Sequence, residues 1–99
     1  MRKIVQKTAK ISKKYLKDYG FNKQQVDNML ELSINDMDKI LNIIEILSKA
    51  NKLKIKDIKK QLHALKGLVA QLHNLKLAKK IEKIEVKINR KNLEKLLIE

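Results

Sequence analysis

The stretch "QLHALKGLVAQLHNL", residues 61–75, holds both histidines of the chain, His63 and His73, and one of its two glycines, Gly67. Imidazole is the side chain best suited to accept and pass on a group near neutral pH. It ordinarily titrates at about 6.5 and is nucleophilic in its neutral form. Ammonium groups nearby favour that neutral form. They also stabilise charge on phosphoryl oxygens, which is most of what phosphoryl transfer needs beyond in-line placement. Lys66 stands three residues after His63. The two histidines are separated along the helix by about 15 Å, too far to hold one metal ion. With no cysteine in the chain, no metal site is expected.

On a wheel of about 100° per residue, the apolar stripe of this segment centres between Leu62 and Leu65. His63 then points roughly 130° away from that centre, into solvent. Gly67 falls on the same exposed strip one turn later. Lys56, Lys59, Lys60 and Ala70 share that side, and Lys66 flanks it nearer the interior. A glycine inside a helix costs about 1 kcal/mol relative to alanine. Close packing of a second helix offsets that cost on a buried face, but not on an exposed one. The arrangement suits a histidine that accepts an anionic group from a large partner able to approach closely over Gly67.

These residues must be positioned by helices. Residues 2–18 form a first helical segment, with Ile4, Ile11 and Tyr15 near one face, Val5, Leu16 and Tyr19 beside it, and lysines over much of the rest. Gly20 is its expected stop. Asn22 and Gln25 have capping-box spacing, with Phe21 placed to staple onto Val26. The second stripe runs Leu30, Ile34, Met37, Leu41, Ile44, a period near 3.5. A polar connection follows around residues 50–52. The third stripe is Ile55, Ile58, Leu62, Leu65, Val69, Leu72. The next turn falls at "HNL", where Asn74 is expected to take the left-handed conformation that ends helices. A fourth helix carries Leu77, Ile81, Ile84 and Ile88. Asn89 or Asn92 caps a short last one with Leu93, Leu96 and Leu97. Short connections make the long helices antiparallel neighbours. The expected fold is therefore all-α, an up-and-down antiparallel four-helix bundle with an additional short helix, in one domain over residues 1–99. Residues 2–18 are expected to serve as the remaining long helix.

Composition agrees. The chain has 99 residues, 43% of them hydrophobic and 35% charged, with no proline. That is too apolar for a disordered tail and too short for more than one domain. The N-terminal segment has no unbroken apolar run, so it reads neither as a signal peptide nor as a membrane span. The absence of cysteine is compatible with a reducing, cytoplasmic location. Lysine and arginine total 24 against 11 acids, a net charge of +13, which favours acidic partners of one kind or another.

"HALKG", His63 to Gly67, matches the H-x-x-K-G signature of histidine-containing phosphotransfer (HPt) domains of multistep phosphorelays. With "MLELSINDMDKILNIIEIL" upstream and "LVAQL" and "LAKKIEKIE" downstream, the chain resembles that family over about residues 23–86. The resemblance implies a four-helix bundle whose exposed histidine carries a phosphoryl group between receiver-domain aspartates in two-component signalling. His63 matches the phospho-acceptor, Lys66 the lysine that stabilises the phosphoryl oxygens, and Gly67 the small residue that leaves room for phosphate and partner. Gln71 matches a position that is often Asn or Gln. Lys56, Lys59, Lys60, Gly67, Ala70 and Gln71 make the expected partner-binding surface. The implied partners are a response-regulator receiver domain, a hybrid histidine kinase, or both. The Mg²⁺ would belong to the receiver, with no cofactor in this chain. There is no Gly-rich nucleotide loop, so a carrier without autonomous kinase activity is expected. His73 departs from the family, which usually has glycine at that turn. From other classes, a basic helical nucleic-acid-binding module or a non-catalytic interaction module would also explain the charge. Only Tyr15, Tyr19 and Phe21 offer rings for stacking, which weighs against nucleic acid.

Overall fold

The computed structural model describes residues 2–99, and Met1 of the expected 1–99 domain lies outside them. Among the described residues the fold is all-α, with no strand. It contains α1 (Lys3–Asp18), α2 (Lys23–Ser48), α3 (Ile55–Gln71), α4 (Leu75–Val86) and α5 (Arg90–Ile98). No helix among these residues is long and apolar enough to cross a membrane.

The 26-residue α2 is the spine. At 1.5 Å per residue it spans about 39 Å, most of the 47 Å long axis of the molecule. It opens on the capping box expected from the sequence. Asn22 Oδ1 accepts the Gln25 backbone N–H at 2.9 Å, and Gln25 Oε1 accepts the Asn22 N–H at 3.0 Å. Val26, Leu30, Ile34, Met37, Leu41 and Ile44 are all buried, so its stripe is continuous from first turn to last.

Helix α3 packs between α2 and α4. Ile58, Leu62, Leu65 and Val69 are completely buried and Leu72 nearly so. Ile55, expected in the same stripe, is 44% exposed. Residues 54–57 are all exposed, so the first turn of α3 stands clear of its neighbours.

Helices α1 and α5 both lie on α2 and touch one another. The Arg2 guanidinium pairs with Glu45 and reaches Asn42, while Lys13 lies 3.9 Å from Asp27, so α1 runs against the direction of α2. Arg2 first, then Lys49, hold the Glu45 carboxyl below its ordinary titration range. Arg90, at the start of α5, donates to the carbonyls of Ala50 and Asn51 in the α2–α3 connection. Leu93 and Leu96 of α5 are buried as fully as any residue of α3. The short C-terminal helix is thus part of the core, and α1 does not close the structure by itself.

The face of α1 also differs from its sequence reading. Ile4 and Val5 are buried, but Tyr15 and Tyr19 are exposed, and the buried positions between are polar: Thr8 and Ser12. Burying a hydroxyl is costly unless it is hydrogen-bonded, and both are. Thr8 donates to the Ile4 carbonyl at 2.8 Å and accepts from Asn74 Nδ2 at 2.8 Å. Ser12 donates to the Leu72 carbonyl. Asn74 Oδ1 in turn accepts the Leu77 N–H at 3.2 Å and caps α4. This buried network fastens α1 to the α3–α4 turn, the turn that ends the helix carrying His63.

Asn74→Ala removes a cap and strands the Thr8 hydroxyl with one partner fewer. It is expected to destabilise the fold by about 1–3 kcal/mol. Urea unfolding should show a lower midpoint with an unchanged slope. A midpoint equal to that of the parent protein would mean the network contributes nothing net.

The turn itself is a Schellman motif. The His73 N–H donates to the Ala70 carbonyl at 3.0 Å and the Asn74 N–H to the Val69 carbonyl at 2.9 Å. The left-handed residue is His73, at φ 65°, and not Asn74. Asn74 is already committed as the α4 cap. The turn geometry that glycine normally supplies is therefore made here by a histidine whose ring stacks on Tyr15, centroid to centroid at 3.5 Å.

Candidate functional site

The face of α3 opposite its apolar stripe is open, as the helical wheel requires. The His63 side chain is 75% exposed. Lys56, Lys59, Lys60, Gly67 and Gln71 are exposed and Ala70 is half-buried. Lys56, Lys59 and Lys60 form no ion pair among the described residues. A Cβ built on Gly67 would meet nothing within 4 Å. The glycine is therefore not required by packing inside this molecule, and neither a close helix contact nor an unusual backbone angle accounts for it.

Gln71 differs from the rest in direction. It lines a groove with Met29 and Ser33 of α2 and with His73, toward the α2 side of α3. The expected surface is therefore a broad strip over α3 with one edge on α2.

Sequence reading missed one residue. Glu85, in the last turn of α4, lies beside His63 and Lys66. Its Oε2 is 3.8 Å from His63 Nδ1, and its Oε1 is 3.1 Å from Lys66 Nζ. The Glu85 side chain is only 12% exposed and that of Lys66 28%. Oε1 is buried and accepts no aligned hydrogen bond, so its compensation is the electrostatic attraction of Lys66. Lys66, expected to stabilise phosphoryl oxygens, rests on a carboxylate.

A signal for Glu85 was present. In a helical hairpin, residues at similar distances on either side of the turn face one another. The turn centres on His73, ten residues after His63 and twelve before Glu85. Helices α3 and α4 pack along one another, which turns that sequence symmetry into contact.

The chemistry available is narrow. The three side chains present a solvent-facing imidazole, a carboxylate on its Nδ1 side and an ammonium held by that carboxylate. No group of three or more His, Cys, Asp or Glu suited to a metal ion occurs among the described residues. His63 stands near the middle of α3 and His73 in the turn beyond its C-terminus, where its ring is occupied on Tyr15.

Compared with known proteins, the chain matches no family model, no curated protein and no solved structure.

Proposed function

We propose that this chain is a phosphohistidine carrier of the HPt type, an antiparallel helical bundle that exchanges a phosphoryl group with receiver domains through His63. The observation that carries the reading is the exposed imidazole with Glu85 on its Nδ1 side, next to a helix surface left bare at Gly67. His63 Nε2 attacks the phosphorus of an aspartyl phosphate on the receiver. The bond between phosphorus and the aspartyl oxygen breaks, and the aspartate leaves as a carboxylate. The ring keeps its proton on Nδ1 and gains positive charge as the N–P bond forms. Glu85 Oε2 faces that proton and opposes the developing charge.

Lys66 has two roles in this scheme. Before transfer it neutralises Glu85; as the phosphoryl group arrives, its ammonium can move to the new oxygens, which carry more negative charge. Its flexible four-carbon stem allows that shift. The receiver supplies the aspartate and its Mg²⁺. Lys56, Lys59 and Lys60 draw an acidic receiver surface toward α3.

The test is incubation with a phosphorylated receiver domain, followed by detection of phosphate on this chain. Incorporation should be acid-labile and base-stable, as expected for phosphohistidine. Added salt should slow transfer, because attraction between exposed charges is screened over about 8 Å at physiological ionic strength. Label that survives acid but not base, or no label with any receiver tried, would count against His63 as the carrier.

A further inference from the structure

The aromatic residues of this chain are few, yet they converge. Tyr15, Tyr19 and Phe21 are all the aromatic side chains it has, and with His73 they form one row at the end of the molecule where α1 meets the α3–α4 turn. His73 stacks on Tyr15 at 3.5 Å with 20° between the rings. Tyr15 is 5.9 Å from Tyr19 at 24°, and Tyr19 is 6.5 Å from Phe21 at 13°. The backbone builds this row deliberately. Gly20, at φ 107°, reverses the chain after α1, with its N–H donating to the Lys17 carbonyl and that of Phe21 to the Leu16 carbonyl. Phe21 is thereby returned beside Tyr19.

Phe21 is partly buried against the core, but the other rings of the row are exposed. Tyr15 is 42% exposed and Tyr19 74%, and His73 is exposed too. Leaving Tyr19 and much of Tyr15 in water forgoes their burial, the usual contribution of such side chains.

A groove with three lysines and one carboxylate leads to the row. Ile4, Lys7 and Ile11 of α1, Asn74 of the turn, Lys76, Leu77 and Lys80 of α4, and the acid Glu99 line about 340 Å³. On α1 the sequence Ile4, Lys7, Ile11, Tyr15 follows helical spacing, so the groove wall continues into the first ring of the row. Lys7 and Lys76 form no ion pair among the described residues, while Lys80 pairs with Glu99 at 2.6 Å. Asp18 is the acid nearest the rings in sequence.

We propose that this flank binds single-stranded nucleic acid, with Lys7, Lys76 and Lys80 holding backbone phosphates and the Tyr15–Tyr19 row receiving unpaired bases. Cationic grooves that track a phosphate backbone, combined with aromatic faces that stack bases, are the physical requirements for such binding. An acidic polypeptide would use the lysines but has no use for a row of near-parallel rings. A duplex would likewise meet the lysines, but its bases are already stacked. The rings stand at the α3–α4 turn and the groove lies between α1 and the first turns of α4, away from His63 in the middle of α3 and Glu85 in the last turn of α4, so the inference is independent of phosphotransfer.

The test is a fluorescence-anisotropy titration of labelled fifteen-nucleotide oligo-dU and oligo-U, each beside a blunt duplex of equal length. Both single strands should bind more tightly than the duplex, and the preference between them identifies the sugar. Tyr19→Ala should weaken binding roughly tenfold, within the range for losing one stacked base, while Tyr19→Phe keeps it. Tyr19 is largely exposed, so neither change disturbs the core. Lys7→Gln with Lys76→Gln should flatten the dependence of log affinity on log salt by about 1.4, two phosphate contacts at about 0.7 each for a single strand. His63→Ala should bind as the parent does. The proposal is overturned if Tyr19→Ala binds unchanged, if duplex binds as well as single strand, or if polyglutamate displaces the oligonucleotide at equal charge concentration.

Discussion

His63→Ala is expected to reduce phosphate uptake from a phosphorylated receiver to background while leaving the fold intact. The loss follows from chemistry: the imidazole offers phosphorus a nitrogen lone pair near neutral pH, and an ammonium on that face does not. Lys66 is an ammonium already engaged by Glu85. His73 is stacked on Tyr15 and fixed in the left-handed turn. Stability should change by no more than about 0.5 kcal/mol, the usual range for an exposed side chain away from packing features, because the His63 side chain is 75% exposed. Its one polar neighbour, Glu85, retains Lys66. The measurement is radiolabel transfer from the receiver alongside thermal unfolding. Residual acid-labile label on His63→Ala would move the acceptor to another residue, with His73 the first to examine. A collapse of stability would show instead that the histidine is structural. His73→Ala separates these outcomes, since it should transfer normally.

What was legible in the sequence was whatever depends on spacing along one helix. The α2 stripe from Val26 to Ile44, the capping box at Asn22 and Gln25, and the open side of α3 all follow from a period of about 3.6 residues. Residues that act across helices were less visible. Thr8 and Ser12 look like interruptions in an apolar face, because their burial depends on partners far along the chain, Asn74 and Leu72. Leu93 and Leu96 sit on a helix too short to be read as core, but Arg90 anchors that helix on the α2–α3 connection. Glu85 reads as one more charge on a Lys- and Glu-bearing helix until the hairpin places it beside His63. The aromatic row was seen as three isolated rings, since its assembly needs the Gly20 reversal and a histidine at positive φ. The same packing that hid Glu85 alters the meaning of Lys66, from a free cation to one held in reserve by a carboxylate.

Gly67→Leu separates folding from access. Leucine is the better helix former, so the substitution should stabilise α3 by about 0.5–1 kcal/mol. A Cβ at Gly67 meets nothing within 4 Å, so no internal clash offsets that gain. An ordinary exposed glycine would therefore be improved by the change in every respect. On the proposed reading the leucine side chain instead stands on the strip one turn from His63, where the receiver must bring its phosphoryl group into line with Nε2. Displacing a reacting pair by about 1 Å can cost roughly a hundredfold in rate, and a leucine side chain displaces a docking surface by more than that. Gly67→Leu should unfold at a higher temperature than the parent and transfer on the order of a hundredfold more slowly. Gly67→Ala, whose single methyl projects into open space, should fall between the two. Small-molecule phosphodonors that need no docking surface should label the Leu variant as fast as the parent, which assigns the loss to approach of the partner and not to His63 itself. Parent-like transfer from the receiver to Gly67→Leu would show that the partner does not approach over this strip, and the glycine would then be merely tolerated.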